Sequence, residues 1–111
     1  MTAIARKLET IREKASLKSI DIAQMMDRTA ETVSRWNKGR AYPHGRNETF
    51  LMELAYIVEC LSDFYTPAEA REFFLSPQRL LDGEKPAELL QRGEIKRVMN
   101  LVKQIRDSVY L

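Results

Sequence analysis

The side chains best suited to chemistry lie between Thr29 and Arg46: Thr29, Glu31, Thr32, Ser34, Arg35, Lys38, Arg40 and Arg46. Hydroxyls and a guanidinium hydrogen-bond to base edges, and clustered cations neutralise phosphates, so the chemistry on offer is recognition of nucleic acid. Elsewhere there is no glycine-rich phosphate loop, no paired carboxylates in a marked motif, no metal cluster and no Ser/His/Asp or Cys/His arrangement. His44, in AYPHGRN, has no second ligand at metal spacing and reads as a loop histidine, with a backbone-phosphate contact as the alternative. An enzyme is the class these residues argue against, and no cofactor or metal is expected.

Presenting those side chains on one surface needs two short helices and a tight turn, and the stretch from Ile20 to Pro43 supplies them. Ala23 is small where the helices would cross, and Val33 and Trp36 form the apolar side of the second. MMDRTAE breaks at Asp27-Arg28, after which the Thr29 hydroxyl caps the next helix. Gly39 closes that helix and Pro43 prevents continuation. The spacing predicts helices over Leu17 to Met26 and Thr29 to Lys38, with Ser16 and Ser19 competing to cap the former. A first helix from Ala3 to Ala15, apolar at Ile4, Leu8, Ile11 and Ala15, packs beneath the pair. The arrangement is a helix-turn-helix. Any antiparallel helix pair shares its layout; the outward residue types favour DNA, while acidic Glu31 and the Asp27-Arg28 turn leave a pure protein-binding module open.

Through Ala23, Val33, Ser34, Arg35, Trp36, Gly39 and the following proline, this stretch resembles the Cro/repressor-type helix-turn-helix family. Asp27 stands where that family has glycine, and Arg28 where it has a buried aliphatic residue, which puts the packing under Arg28 in question. Asp tolerates a left-handed backbone, so the turn can form. The resemblance implies a homodimer on double-stranded operator DNA, with third helices in successive major grooves. Arg35, Thr32 and Ser34 would read bases, and Lys38, Arg40 and Arg46 would hold phosphate.

The wider composition agrees. A chain of 111 residues that is 44% hydrophobic and 31% charged suits one compact all-α domain or a small domain with a helical add-on. Residues 1–46 hold 10 Lys/Arg against 5 Asp/Glu, and residues 47–111 hold 8 against 11, so the basic half is the half that would face phosphate. A single cysteine, Cys60, allows no internal disulfide, fits a reducing cytoplasm, and sits in apolar surroundings expected to bury it. No apolar run approaches membrane-spanning length and the N-terminus is too charged for a signal peptide, so no membrane partner is expected.

Beyond the basic half, Asn47 is expected to cap a long helix to about Asp63. Its two apolar stripes, Phe50/Leu54/Ile57/Leu61 and Leu51/Ala55/Val58, would join the halves as a spine or form a homodimer seam. Thr66-Pro67-Ala68-Glu69 is a capping box with proline at the first helical position. Ser76-Pro77 repeats the start signal ahead of Arg79-Leu80-Leu81, Asp82-Gly83 stops it, and Pro86 opens AELLQR, broken by Gly93. Glu94 then opens a long amphipathic helix with Ile95, Val98, Met99, Val102, Ile105 and Val109 on one face.

The run from Ser76 to Ile105 (SPQRLLDGEKPAELLQRGEIKRVMNLVKQI) resembles the toxin-binding domain of the Xre/MbcA/ParS antitoxin family, and the helix-turn-helix, LMELAYIVECL and short tail extend the likeness over nearly the whole chain. The resemblance implies a helix-turn-helix region over 1–46, a central connecting helix over 47–65 and a toxin-binding region over 66–111. It implies a partner toxin of the RES class, an enzyme that consumes NAD or transfers its ADP-ribose. Toxin contacts would fall on Arg79, Leu81, Lys85 and Arg92, and on a C-terminal plug of Arg106, Ser108, Val109, Tyr110 and Leu111 that occludes the active site. The competing readings are a phage-type repressor whose C-terminal helices only dimerise, and a plug whose Val109 and Tyr110 merely finish the last helix.

Overall fold

The computed structural model describes residues 2–109. Among them lie α1 (Ala3–Ala15), α2 (Ser19–Met26), α3 (Ala30–Asn37), α4 (Arg46–Ser62), α5 (Pro67–Leu75), a 3-10 turn (Arg79–Leu81), α6 (Pro86–Gln91) and α7 (Ile95–Val109). The described residues are all-helical apart from an isolated bridge between Gln78 and Glu84. Among the described residues no helix is long and apolar enough to cross a membrane.

The expected spine is α4. Leu51, Leu54, Ala55, Ile57, Val58 and Leu61 are buried at 2% exposure or less, which uses both apolar stripes. Along one side runs α1 with Ile4, Leu8, Ile11 and Ala15; α5 and α7 close the others with Ala70, Phe73, Phe74, Val98, Leu101 and Val102. The core is thus one cluster from Ile4 to Val102, continuous across all three expected regions. Cys60 is half-buried at its edge.

Several helix ends depart from the sequence expectation. Neither Ser16 nor Ser19 caps α2. Ser16 ends α1 in the left-handed region at φ 52, and the N-cap is Lys18, whose N–H donates to Asp21 Oδ2 at 2.8 Å. Nor does Asn47 cap α4, because Gly45 at φ 57 turns the chain two residues sooner and makes Arg46 the first helical residue. Ser76-Pro77 starts no helix; Ser76 caps the end of α5, and Gln78 pairs with Glu84 to form a closed turn around Arg79–Leu81. The last helix starts at Ile95, one residue after Glu94. The Thr66 capping box forms as expected: Glu69 N–H donates to Thr66 Oγ1 at 3.2 Å and Thr66 N–H to Glu69 Oε1 at 2.8 Å.

One polar junction ties the halves together. Arg71 on α5 donates to Ser16 O at 2.8 Å and to Asp21 Oδ2 at 2.7 Å, fixing the loop between α1 and α2. Burial pushes the Asp21 carboxyl up, but the Arg71 hydrogen bond, the Lys18 N–H and the charges of both residues outweigh it and leave the group below its ordinary value. A carboxylate with a lowered folded-state pKa contributes stability that is fully present above its unfolded value and is lost as pH falls through the folded one. Asp21→Asn or Arg71→Ala is expected to cost about 1.5–3 kcal/mol at pH 7, the range for a hydrogen bond to a charged group. In urea titrations between pH 7 and pH 3, Asp21→Asn should also flatten the acid decline; an unchanged decline would show that Asp21 does not drive it.

Candidate functional site

The turn between α2 and α3 forms because Asp27 accepts the left-handed conformation at φ 58 that glycine would otherwise take. Arg28 N–H then donates to Ala23 O at 2.9 Å, and Thr29 Oγ1 accepts from Thr32 N–H at 3.2 Å to start α3. Ala23, Val33 and Trp36 are buried as expected. The packing problem posed by Arg28 does not arise, since its side chain is exposed. This end of α2 is covered by α6 instead, through buried Leu89 and Leu90, and Gln91 Nε2 donates to Asp27 Oδ1 at 3.1 Å.

The residues expected to meet DNA separate into two groups. Glu31, Ser34, Arg35, Lys38 and Arg40 line one shallow depression on the outer face of α3. Thr29 and Thr32 lie at its N-terminus, their hydroxyls 2.9 Å apart. Arg46 belongs elsewhere: on the first turn of α4 it lines a separate groove together with Arg28. Among the described residues none of Arg28, Arg35, Lys38, Arg40 and Arg46 forms an ion pair, and all are exposed. Two arginines of the C-terminal half behave differently. Arg92 pairs with Glu84 at 2.7 Å and Glu94 at 2.8 Å, and Arg97 with Glu84 at 3.3 Å, Glu94 at 3.2 Å and Asp82 at 3.4 Å. Hydrogen bonds from Arg92 hold the Glu84 and Glu94 carboxyls below the usual range, with Arg97 adding to both. This exposed network joins the 3-10 turn, the end of α6 and the start of α7.

Of the residues expected to touch a toxin, Arg79, Lys85, Arg92, Ser108 and Val109 are exposed and Arg106 is half-buried beside Asp107, at 3.6 Å. Val109 is 53% exposed, so it does not finish the last helix against the core; that role falls to Val98, Leu101 and Val102, with Ile95, Met99 and Ile105 half-buried. Tyr110 and Leu111 lie outside the described residues. Leu81 cannot touch a partner directly, because it is 3% exposed and packed in the core, whereas Leu80 beside it is 62% exposed. In a turn only three residues long no helical period distinguishes the two leucines. Arg28 was equally hidden as a surface residue, its signal being only its place just before the Thr29 cap.

A helix-turn-helix with an exposed cationic outer face, built onto a helical C-terminal half through a shared core, defines a class of two-part, all-helical helix-turn-helix proteins. Comparison with known proteins narrows the class. The chain is 31% identical to the mycobacterial cidal antitoxin MbcA of Mycobacterium tuberculosis and of Mycobacterium bovis over 99 residues, covering 89% of this chain and 88% of the relative. It is 27% identical over 92 residues to a probable mycobacterial cidal antitoxin of M. tuberculosis, covering 83% and 78%. The fold superimposes with a TM-score of 0.85 and 29% identity on a chain of the crystal structure of the M. tuberculosis MbcT-MbcA toxin-antitoxin complex, over the full length of both. No family model matches. The protein belongs to the MbcA antitoxin family.

The two adjacent leucines give a direct check on this geometry. Leu81→Ala should destabilise the fold by about 2–5 kcal/mol, as removal of a buried leucine does. Leu80→Ala should stay within about 0.5 kcal/mol, as at an exposed site. Denaturant midpoints that reversed this order would contradict the turn as described.

Proposed function

We propose that this chain is an antitoxin that holds a cognate toxin through its C-terminal half and operator DNA through α3. The observation that carries the toxin half is the full-length likeness to a chain from the MbcT-MbcA toxin-antitoxin complex. The partner is proposed to be of the RES class, consuming NAD or transferring its ADP-ribose, as the resemblance of Ser76 to Ile105 implies. Arg79, Lys85 and Arg92 would meet it from the 3-10 turn and α6. The end of α7 would block its active site, with Arg106, Ser108 and exposed Val109 leading into Tyr110 and Leu111. A plug of aromatic and aliphatic side chains is chemically suited to a pocket built for a nucleotide. No catalytic role is proposed for the antitoxin itself, and its place is the cytoplasm.

The DNA half is supported by the exposed Arg35, Lys38 and Arg40, unpaired among the described residues, beside Thr29, Thr32, Ser34 and Glu31. A homodimer would set two copies of α3 in successive major grooves, Arg35, Thr32 and Ser34 reading bases while Lys38 and Arg40 hold phosphate.

Co-purification with the product of the adjacent reading frame, followed by NAD-consumption assays with and without this chain, tests the toxin half. A complex with suppressed NAD loss is expected; sequence-selective binding to the upstream DNA with no complex would instead make the chain a stand-alone repressor. Arg35→Ala should lose about 1–3 kcal/mol of operator affinity and leave toxin binding intact. An equal loss on random DNA would reassign Arg35 to phosphate. Deleting residues 108–111 should preserve fold and DNA binding but weaken inhibition, and full silencing by the truncated chain would remove the plug.

A further inference from the structure

The groove that Arg46 shares with Arg28 is not explained by α3 reading bases. It has a volume of about 540 Å³ and lies where three segments meet: the α2–α3 turn, the first turns of α4, and the junction of α6 and α7. Met25 and Leu90 are buried in its floor, while Arg28 and Arg46 stand exposed and without ion pairs among the described residues. The third arginine there, Arg92, is occupied by Glu84 and Glu94. Of the two acidic residues, Asp27 is engaged by Gln91, which leaves Glu53 against two uncommitted guanidiniums.

Two features direct this pair toward the DNA backbone. The first is continuity. Arg28 also borders a second cleft, with Thr29, Thr32 and Gln91 in its wall, so the surface runs unbroken from the N-terminus of α3, past Arg28, to Arg46. A strand whose bases met α3 would continue along that path. The second is the start of α4. Gly45 places no side chain over the N-terminus of this 17-residue helix, so its backbone N–H groups lie without a side-chain cap beside Arg46, with Glu48 the acidic residue of the first turn. Guanidiniums match phosphate oxygens geometrically.

We infer that Arg28 and Arg46 form a phosphate clip for duplex DNA, separate from the base-reading face of α3 and walled on one side by the α6–α7 junction of the C-terminal half. The clip rests on the DNA half of the proposed function. Arg28, in the position where related helix-turn-helix sequences bury an aliphatic side chain, is here turned outward to serve it.

The test is the salt dependence of DNA binding by the full-length chain, measured by fluorescence anisotropy on its own upstream duplex and on a random duplex between 50 and 200 mM salt. Each phosphate neutralised contributes a slope of about 0.9 in log affinity against log salt. Arg28→Ala and Arg46→Ala should each flatten the slope by that amount on both duplexes. Over this range the wild type should therefore lose about 3.5 times more affinity than either variant, and about 12 times more than the double variant. Arg28→Lys should keep the wild-type slope, since a point charge suffices for counterion release, and circular dichroism should match throughout because both side chains are exposed. Wild-type binding with slopes unchanged in both alanine variants overturns the clip alone. A loss confined to the upstream duplex overturns it in favour of base reading. No salt-dependent binding by the wild type overturns the DNA reading, and the clip with it.

Discussion

Everything else in the molecule is placed by the burial of α4 on more than one side. A helix exposed on one face needs a single apolar stripe; α4 has two, and its buried side chains leave only Met52 and Tyr56 as large apolar groups toward solvent. Because α1 takes one stripe while α5 and α7 take the rest, the helix-turn-helix cannot shift as a unit without opening the core that also holds the C-terminal half. The Arg71 contact to Ser16 and Asp21 repeats this logic in polar form, since one guanidinium from the C-terminal half satisfies a carbonyl and a carboxylate that shape the entry to α2.

Charge is distributed by the same division of labour. At the end of α6 and the start of α7, Arg92 and Arg97 are matched to Glu84 and Glu94 within the chain, so that region is shaped by its own ion pairs. Around α3 and the start of α4 the cations have no acidic partner among the described residues and face outward. Surface ion pairs add little to stability. Their importance here is geometric: they hold the short turn, α6 and α7 in one arrangement. The unpaired cations keep their charge available for an external anion.

Much of this architecture was legible in the residues. Thr66-Pro67-Ala68-Glu69 made the capping box it spells, and the stripes of α4 and the Ala23, Val33, Trp36 contact followed from period alone. Reading failed where the backbone was set by something other than periodicity. Lys18 became a cap because Asp21 accepts its N–H, and Gly45 advanced α4 by taking a positive φ. Leu80 and Leu81 were indistinguishable because a three-residue turn has no period, and the packing under Arg28 stayed an open question because α6, far along the chain, covers the end of α2. Family membership was legible from the order of Leu, Gly and Pro steps in the C-terminal half, which no argument from composition would have reached.

The pairing of α1 with α4 also has a consequence for synthesis. Lys14 and Glu59, which meet at 2.9 Å, are 45 residues apart in sequence, and the apolar stripe of α1 has no comparable cover nearer at hand. During translation the first three helices therefore emerge with that stripe open to water, and their shared core closes only after α4 has left the ribosome. The nascent N-terminal half is for that interval a sticky intermediate, and it matures together with the helices that follow it rather than ahead of them.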